Sequence, residues 1–172
     1  MSSFIGTLKV EAKGDREIVM TREFSAGKDL VFDCFTKPEL IKRWLYGPDG
    51  WSLDVCEVDL KVGGKYRYVW KYLKDGSTMG AGGSYKEISG PDKLVHTESF
   101  DEAWYPGEAI LTTTFVEKSG ITFVTINILY ETKEGRDIVI KSPMEGGASQ
   151  SYNRLETLLG TLTETSQGRK KS

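Results

Sequence analysis

One histidine, two cysteines, a small carboxylate cluster and a run of alternating aromatics are the residues from which this chain could build chemistry. His96 is the single side chain that titrates near neutrality without help from its surroundings. In strand parity it belongs with Leu94, Glu98 and Phe100, so the four share a face. There it is either a polar or proton-transfer group inside a cavity or a hydrogen-bonded structural histidine. One imidazole excludes an HExxH site and any multi-histidine zinc site. Cys34 and Cys56 form no CxxC pair and sit among apolar neighbours, so they read as small buried hydrophobes that do not form a disulfide. Glu98, Asp101 and Glu102 fall near a strand end and loop and read as solvated. A carboxyl group with a raised pKa would need burial and a close partner. Gly80-Ala81-Gly82-Gly83 lacks the third glycine of a dinucleotide fingerprint. Gly82-Gly83-Ser84-Tyr85-Lys86 lacks the closing glycine of a nucleophile elbow. No metal, no cofactor and no catalytic residue is assigned.

The aromatic alternation is the most informative signal. Tyr66, Tyr68, Trp70 and Tyr72 share one parity, while Arg67, Val69 and Lys71 share the other. Period two places the four rings on one face of a strand and turns Arg67 and Lys71 to water. Such a face either fills a core or lines an apolar pocket with a few placed polar groups, which tyrosine hydroxyls can supply. The pocket expected here lies between that face and a C-terminal helix. Trp44, Tyr66, Tyr68, Trp70, His96, Phe100 and Met144 are its candidate ligand-binding residues.

The elements that must position these residues follow from periodicity and turn chemistry. Residues 1–15 carry little pattern and read as an N-terminal arm. A strand over 16–24 leads to Ser25, a candidate helix cap, and to a helical face of Leu30, Val31, Cys34 and Phe35. Thr36-Lys37-Pro38-Glu39 fits a capping box for a second short helix bearing Leu40, Ile41, Trp44 and Leu45. Gly47-Pro48-Asp49-Gly50 ends it. Six strands follow over 51–60, 65–73, 78–89, 93–100, 109–118 and 121–131, with an Asp75-Gly76 hairpin signal. Gly80, Gly82 and Gly83 inside the third of these mark a bulge, a bend or a close approach. Met144, Ala148, Ser151, Tyr152, Leu155, Leu158, Leu159 and Leu162 then repeat at helical spacing. Gly146 and Gly147 near the start leave room between helix and sheet. No crossover helix separates the strands, so the sheet is antiparallel. The fold class is α+β: a curved antiparallel sheet of about seven strands around one long helix, spanning 16–162, with a solvated tail over 163–172.

Composition bounds the rest. At 172 residues the chain makes one domain, able to bury about 70% of its unfolded surface. With 23 basic and 25 acidic residues the net charge is −2, which provides no footprint for nucleic acid or an anionic membrane. No apolar run reaches the length of a membrane span, and residues 1–6 show no signal-peptide pattern. The localisation expected is cytoplasmic. The partner expected is an apolar or aromatic small molecule, with no nucleic acid and no membrane. A homodimer stays open.

A family resemblance rests on residues in order. They are Val31-Phe32-Asp33-Cys34-Phe35-Thr36-Lys37-Pro38-Glu39-Leu40 through Trp44, then Gly47-Pro48-Asp49-Gly50-Trp51 and Asp59 with Gly63-Gly64. Asp75-Gly76, Tyr85-Lys86-Glu87-Ile88, Leu94-Val95-His96-Thr97-Glu98 and Ser151-Tyr152-Asn153-Arg154-Leu155 complete the series. Together they resemble the activator-of-heat-shock-protein-ATPase-like family of the SRPBCC (START-like, birch-pollen-allergen-like) superfamily. The resemblance implies the helix-grip fold and no universal catalytic motif. It leaves three functions: a small-molecule binding protein, a polyketide cyclase- or dehydratase-type enzyme using His96 or Glu98 as base, and a heat-shock ATPase co-chaperone. The family's eukaryotic activators carry another domain before this one, so no ATPase stimulation is expected from this chain alone. Members of the family often have Pro in place of Gly27 and a second Trp in place of Leu45, near the expected cavity mouth.

Overall fold

The computed structural model describes residues 7–171, with side chains described over 7–163. Residues 1–6 of the expected arm, and the absence of a signal peptide read from them, lie outside the described residues. So do the side chains of the basic cluster at 169–171. The order is β1 (Lys9–Lys13), β2 (Glu17–Phe24), α1 (Lys28–Thr36), α2 (Pro38–Ile41), then β3 (Trp51–Val58) and β4 (Lys65–Tyr72). There follow β5 (Thr78–Ser89), β6 (Lys93–Phe100), β7 (Ala109–Lys118), β8 (Ile121–Leu129), α3 (Lys133–Lys141) and α4 (Met144–Lys171). The strands form one antiparallel sheet of 8 strands in the order β1-β2-β8-β7-β6-β5-β4-β3, wrapped on α4. This is the helix-grip arrangement, with one strand more than the seven expected.

The extra strand is β1, paired with β2 from Lys9↔Thr21 to Lys13↔Glu17. Four of its five residues are exposed, so it lacks the alternation that marks a half-buried strand. The helix α3 was also not expected. Thr132 caps it by accepting a hydrogen bond from the Gly135 amide at 2.9 Å. Its buried Arg136 donates to the carbonyls of Gly14 and Glu17, both at 3.0 Å, and ties α3 to the β1–β2 hairpin.

Both expected caps are corrected. Gly27, not Ser25, is the N-cap of α1, and the Ser25 amide donates instead to the Glu156 carboxylate. Thr36 closes α1 with its hydroxyl on the Phe32 carbonyl, and Lys37 begins α2 without a side-chain cap. The core lies between the concave sheet face and α4. Tyr152, Leu155, Leu158 and Leu159 of the helix are buried with Ile18, Phe24, Phe115 and Val124 of the sheet.

Candidate functional site

Two cavities abut between the concave face and the start of α4. The inner one measures about 270 Å³ and the outer about 420 Å³. Leu45, Phe100, Met144 and Tyr152 belong to both walls. Period-two geometry builds the inner wall. Leu94, His96, Glu98 and Phe100 of β6 all face it, and Tyr66 and Tyr68 of β4 stand beside them. Trp70 faces the outer cavity, where its indole Nε1 donates to the Leu45 carbonyl at 2.9 Å. Trp44 closes the inner cavity from the helical side, buried with its Nε1 on the Cys34 carbonyl at 2.8 Å. Six of the seven candidates thus line the inner space, and the seventh lines its neighbour. On the opposite face Arg67 meets water and forms a paired contact with Asp101, both oxygens at 2.6 Å.

The glycines of β5 set the polar corner of the cavity. A Cβ at Gly82 would sit 2.6 Å from the Tyr66 carbonyl oxygen, and one at Gly83 would sit 1.9 Å from that of Thr97. These are close backbone approaches that only glycine permits. The β5–β6 register shifts between Tyr85↔His96 and Glu87↔Val95, a bulge beside His96. The Thr97 carbonyl is taken up by side chains. The Tyr66 hydroxyl donates to it, and His96 Nδ1 lies 3.2 Å from it and 3.1 Å from the Tyr66 oxygen. Because the Tyr66 proton is committed to Thr97, Nδ1 must be a donor here. In the neutral ring that leaves Nε2 as an acceptor. Burial holds the imidazole pKa below its usual value, so the ring is neutral at neutral pH.

Glu98 departs from the sequence reading. Asp101 and Glu102 are exposed as expected, but Glu98 turns part of its surface into the inner cavity. Among the described residues nothing forms a hydrogen bond or ion pair with its carboxyl group, and no Lys or Arg lines the cavity. Loss of bulk water pushes its pKa up to about 7. The hydroxyls of Tyr66, Tyr105, Tyr130 and Tyr152 are held above their usual range, first by burial and then by the nearby Glu98 charge. The Tyr105 hydroxyl is buried without a hydrogen-bond partner.

The segment Ser151-Tyr152-Asn153-Arg154-Leu155 fixes α4 over the site. Asn153 accepts from the buried Arg22 at 3.2 Å, and Arg22 lies 3.8 Å from Glu156. Arg154 stacks on Tyr46 at 4.0 Å and bonds to the Gly47 carbonyl and Asp49, pinning the loop before β3. Tyr152 carries a ring into both cavities, 5.7 Å from Trp44. Tyr85, Tyr105 and Tyr130 are lining residues that the sequence reasoning missed. Tyr85 and Tyr130 stand in expected strands whose alternation could have revealed them, Tyr130 continuing the buried parity of Val124, Ile126 and Ile128. Tyr105 comes from a loop without periodicity. Among the described residues no cluster of three His, Cys, Asp or Glu could hold a metal ion. None of their helices is long and apolar enough to cross a membrane.

The model of the family described as "Activator of Hsp90 ATPase homolog 1-like protein" matches residues 25–160. The chain belongs to this family, within the SRPBCC superfamily. It is similar to a crystal structure from Rhodobacter sphaeroides, 27% identical, covering 90% of this chain and 98% of that one, TM-score 0.84. A solution structure from Staphylococcus epidermidis is 26% identical, with 88% and 93% covered and a TM-score of 0.75. An HSP90 activator from Plasmodium falciparum is 23% identical, with 84% and 96% covered and a TM-score of 0.60, a likeness of fold alone. A comparison with curated proteins found no match.

Proposed function

We propose that this family member is a small-molecule binding protein whose ligand occupies the inner cavity and enters past Leu45, Phe100 and Met144. The observation that carries the reading is the unfilled space of about 270 Å³ beneath α4, walled mainly by apolar and aromatic side chains. Apolar space of this size, with polar groups at one corner, has the form of a ligand site. Leu45, where family members often have a second Trp, stands on the boundary between the two cavities.

A thermal-shift panel of neutral, cationic and anionic aromatic compounds tests this. A compound at about 100 times its dissociation constant adds about 2.7 kcal/mol. At about 2–4 °C per kcal/mol, melting rises by about 5–10 °C. Tyr68→Ala should weaken binding more than Lys71→Ala, because Tyr68 lines the inner cavity and Lys71 leaves β4 on the opposite face. No shift with any class, or equal loss in both variants, overturns the reading.

One observation favours a second reading. A carboxyl group poised near neutrality in a water-poor cavity suits general acid–base catalysis of a cyclase or dehydratase type, with Glu98 as the proton carrier. Turnover lost in Glu98→Gln while binding persists would establish it. A third reading, co-chaperone action, has the family's name and the Plasmodium structure behind it. Several-fold stimulation in a coupled ATPase assay would promote it over ligand binding.

A further inference from the structure

Resting on the cavity-binding reading, we propose that the ligand is a protonated aromatic amine whose ammonium group sits against Glu98. The polar equipment of the inner cavity is one-sided. Glu98 offers carboxylate oxygens that no described residue engages, and His96 offers Nε2 as an acceptor once Nδ1 is committed to Thr97 and Tyr66. Among the described residues no Lys or Arg lines the inner cavity to receive an anion. A carboxylate-bearing ligand such as a fatty acid would bury its charge beside Glu98 with no partner, which is strongly unfavourable. A cation meets the opposite situation. It gains the free carboxylate and the imidazole nitrogen, and Trp44, Tyr66 and Tyr152 line the same space with aromatic rings of the kind that attract an ammonium.

Size restricts the class further. A cavity of roughly 150 Å³ accepts benzene. The 270 Å³ here therefore suits one or two fused rings with a short aminoalkyl arm, and longer substituents would extend into the outer cavity along Met144 and Trp70.

The charge of the site also couples binding to pH. The titratable groups around Glu98 are His96 on its own strand, Tyr66 and Tyr68 on β4, Tyr85 on β5, Tyr105, Tyr130 and, from α4, Tyr152; the Tyr85 hydroxyl too is held up by burial. The tyrosines stay neutral because their pKa values are raised, and His96 stays neutral above its lowered pKa. Between pH 6.5 and 8 Glu98 is the group of this set that changes charge, its pKa being about 7. An ammonium binds its ionised form, so amine affinity rises with pH across that interval.

The test is isothermal titration calorimetry of the full chain with three matched probes at pH 6 and pH 8. They are 2-(1-naphthyl)ethylamine, 2-(1-naphthyl)ethanol and 1-naphthylacetate. The amine is expected to bind at least tenfold more tightly than either other probe at pH 8, and to lose about tenfold at pH 6 from protonation of Glu98. Glu98→Gln should bring the amine to within about twofold of the alcohol. The wild-type pH profile and probe ranking keep the test decisive even if that variant folds poorly. If the alcohol or acetate binds as tightly as the amine, the amine assignment fails while the cavity reading stands. If all three, and the wider panel, leave no heat and no melting shift, the cavity reading fails with it.

Discussion

Replacing Glu98 with glutamine should stabilise the protein at alkaline pH and leave it nearly unchanged at acid pH. The side chain keeps its shape and loses a charge that the cavity does not compensate. Burial raises the carboxyl pKa from 4.5 to about 7. At about 1.4 kcal/mol per pKa unit, the ionised form costs about 3 kcal/mol at most, and water inside the cavity would reduce that. The direction follows from linkage. A carboxyl group with a raised folded-state pKa gives its full stability below its unfolded value, and that stability is lost as pH rises through about 7. Calorimetric melts of wild type and Glu98→Gln at pH 5, 6, 7 and 8 should therefore diverge upward. At pH 8 the variant should melt higher, by no more than about 6–12 °C at 2–4 °C per kcal/mol. His96 acts in the opposite sense in both proteins, since its depressed pKa destabilises the fold as pH falls below about 6.5. The difference between the two profiles isolates Glu98. A constant difference from pH 5 to 8 would refute the burial argument.

Two further outcomes follow from the packing. Gly146 is exposed in α4 and an added Cβ would meet nothing within 4 Å, so Gly146→Ala should raise stability by about 1 kcal/mol through helix propensity, read as a higher denaturant midpoint. Arg22→Met should destabilise by about 3–5 kcal/mol, because it leaves Glu156 buried without its cation, and chemical denaturation measures the loss.

The sheet and most of the site were readable from the sequence because strand geometry is local. Period two alone brings Tyr66 and Tyr68 to the face of the cavity, and parity puts Glu98 beside His96. The helix stripe of Tyr152, Leu155 and Leu159 was equally plain. The protonation state of Glu98 was not readable, since it depends on what closes over the face. Trp44, Tyr105, Tyr130 and Tyr152 come from four separate segments, and together they remove the water that its position near a strand end suggested. Helix α3 was missed because Ile138, Val139 and Ile140 are consecutive and define no face. Ser25 failed as a cap because a distant carboxylate, Glu156, takes its backbone amide. For Glu98 and Ser25 the deciding neighbour lies far away in the chain.

Ligand binding between the sheet and α4 can be observed directly. A crystal structure with the compound giving the largest melting shift tests it most directly. Density is expected inside the cavity, in contact with Tyr66, Glu98, Phe100 and Tyr152, with α4 in place over it. Density on the opposite face beside Arg67, or a cavity filled by its own side chains with the compound elsewhere, would contradict it.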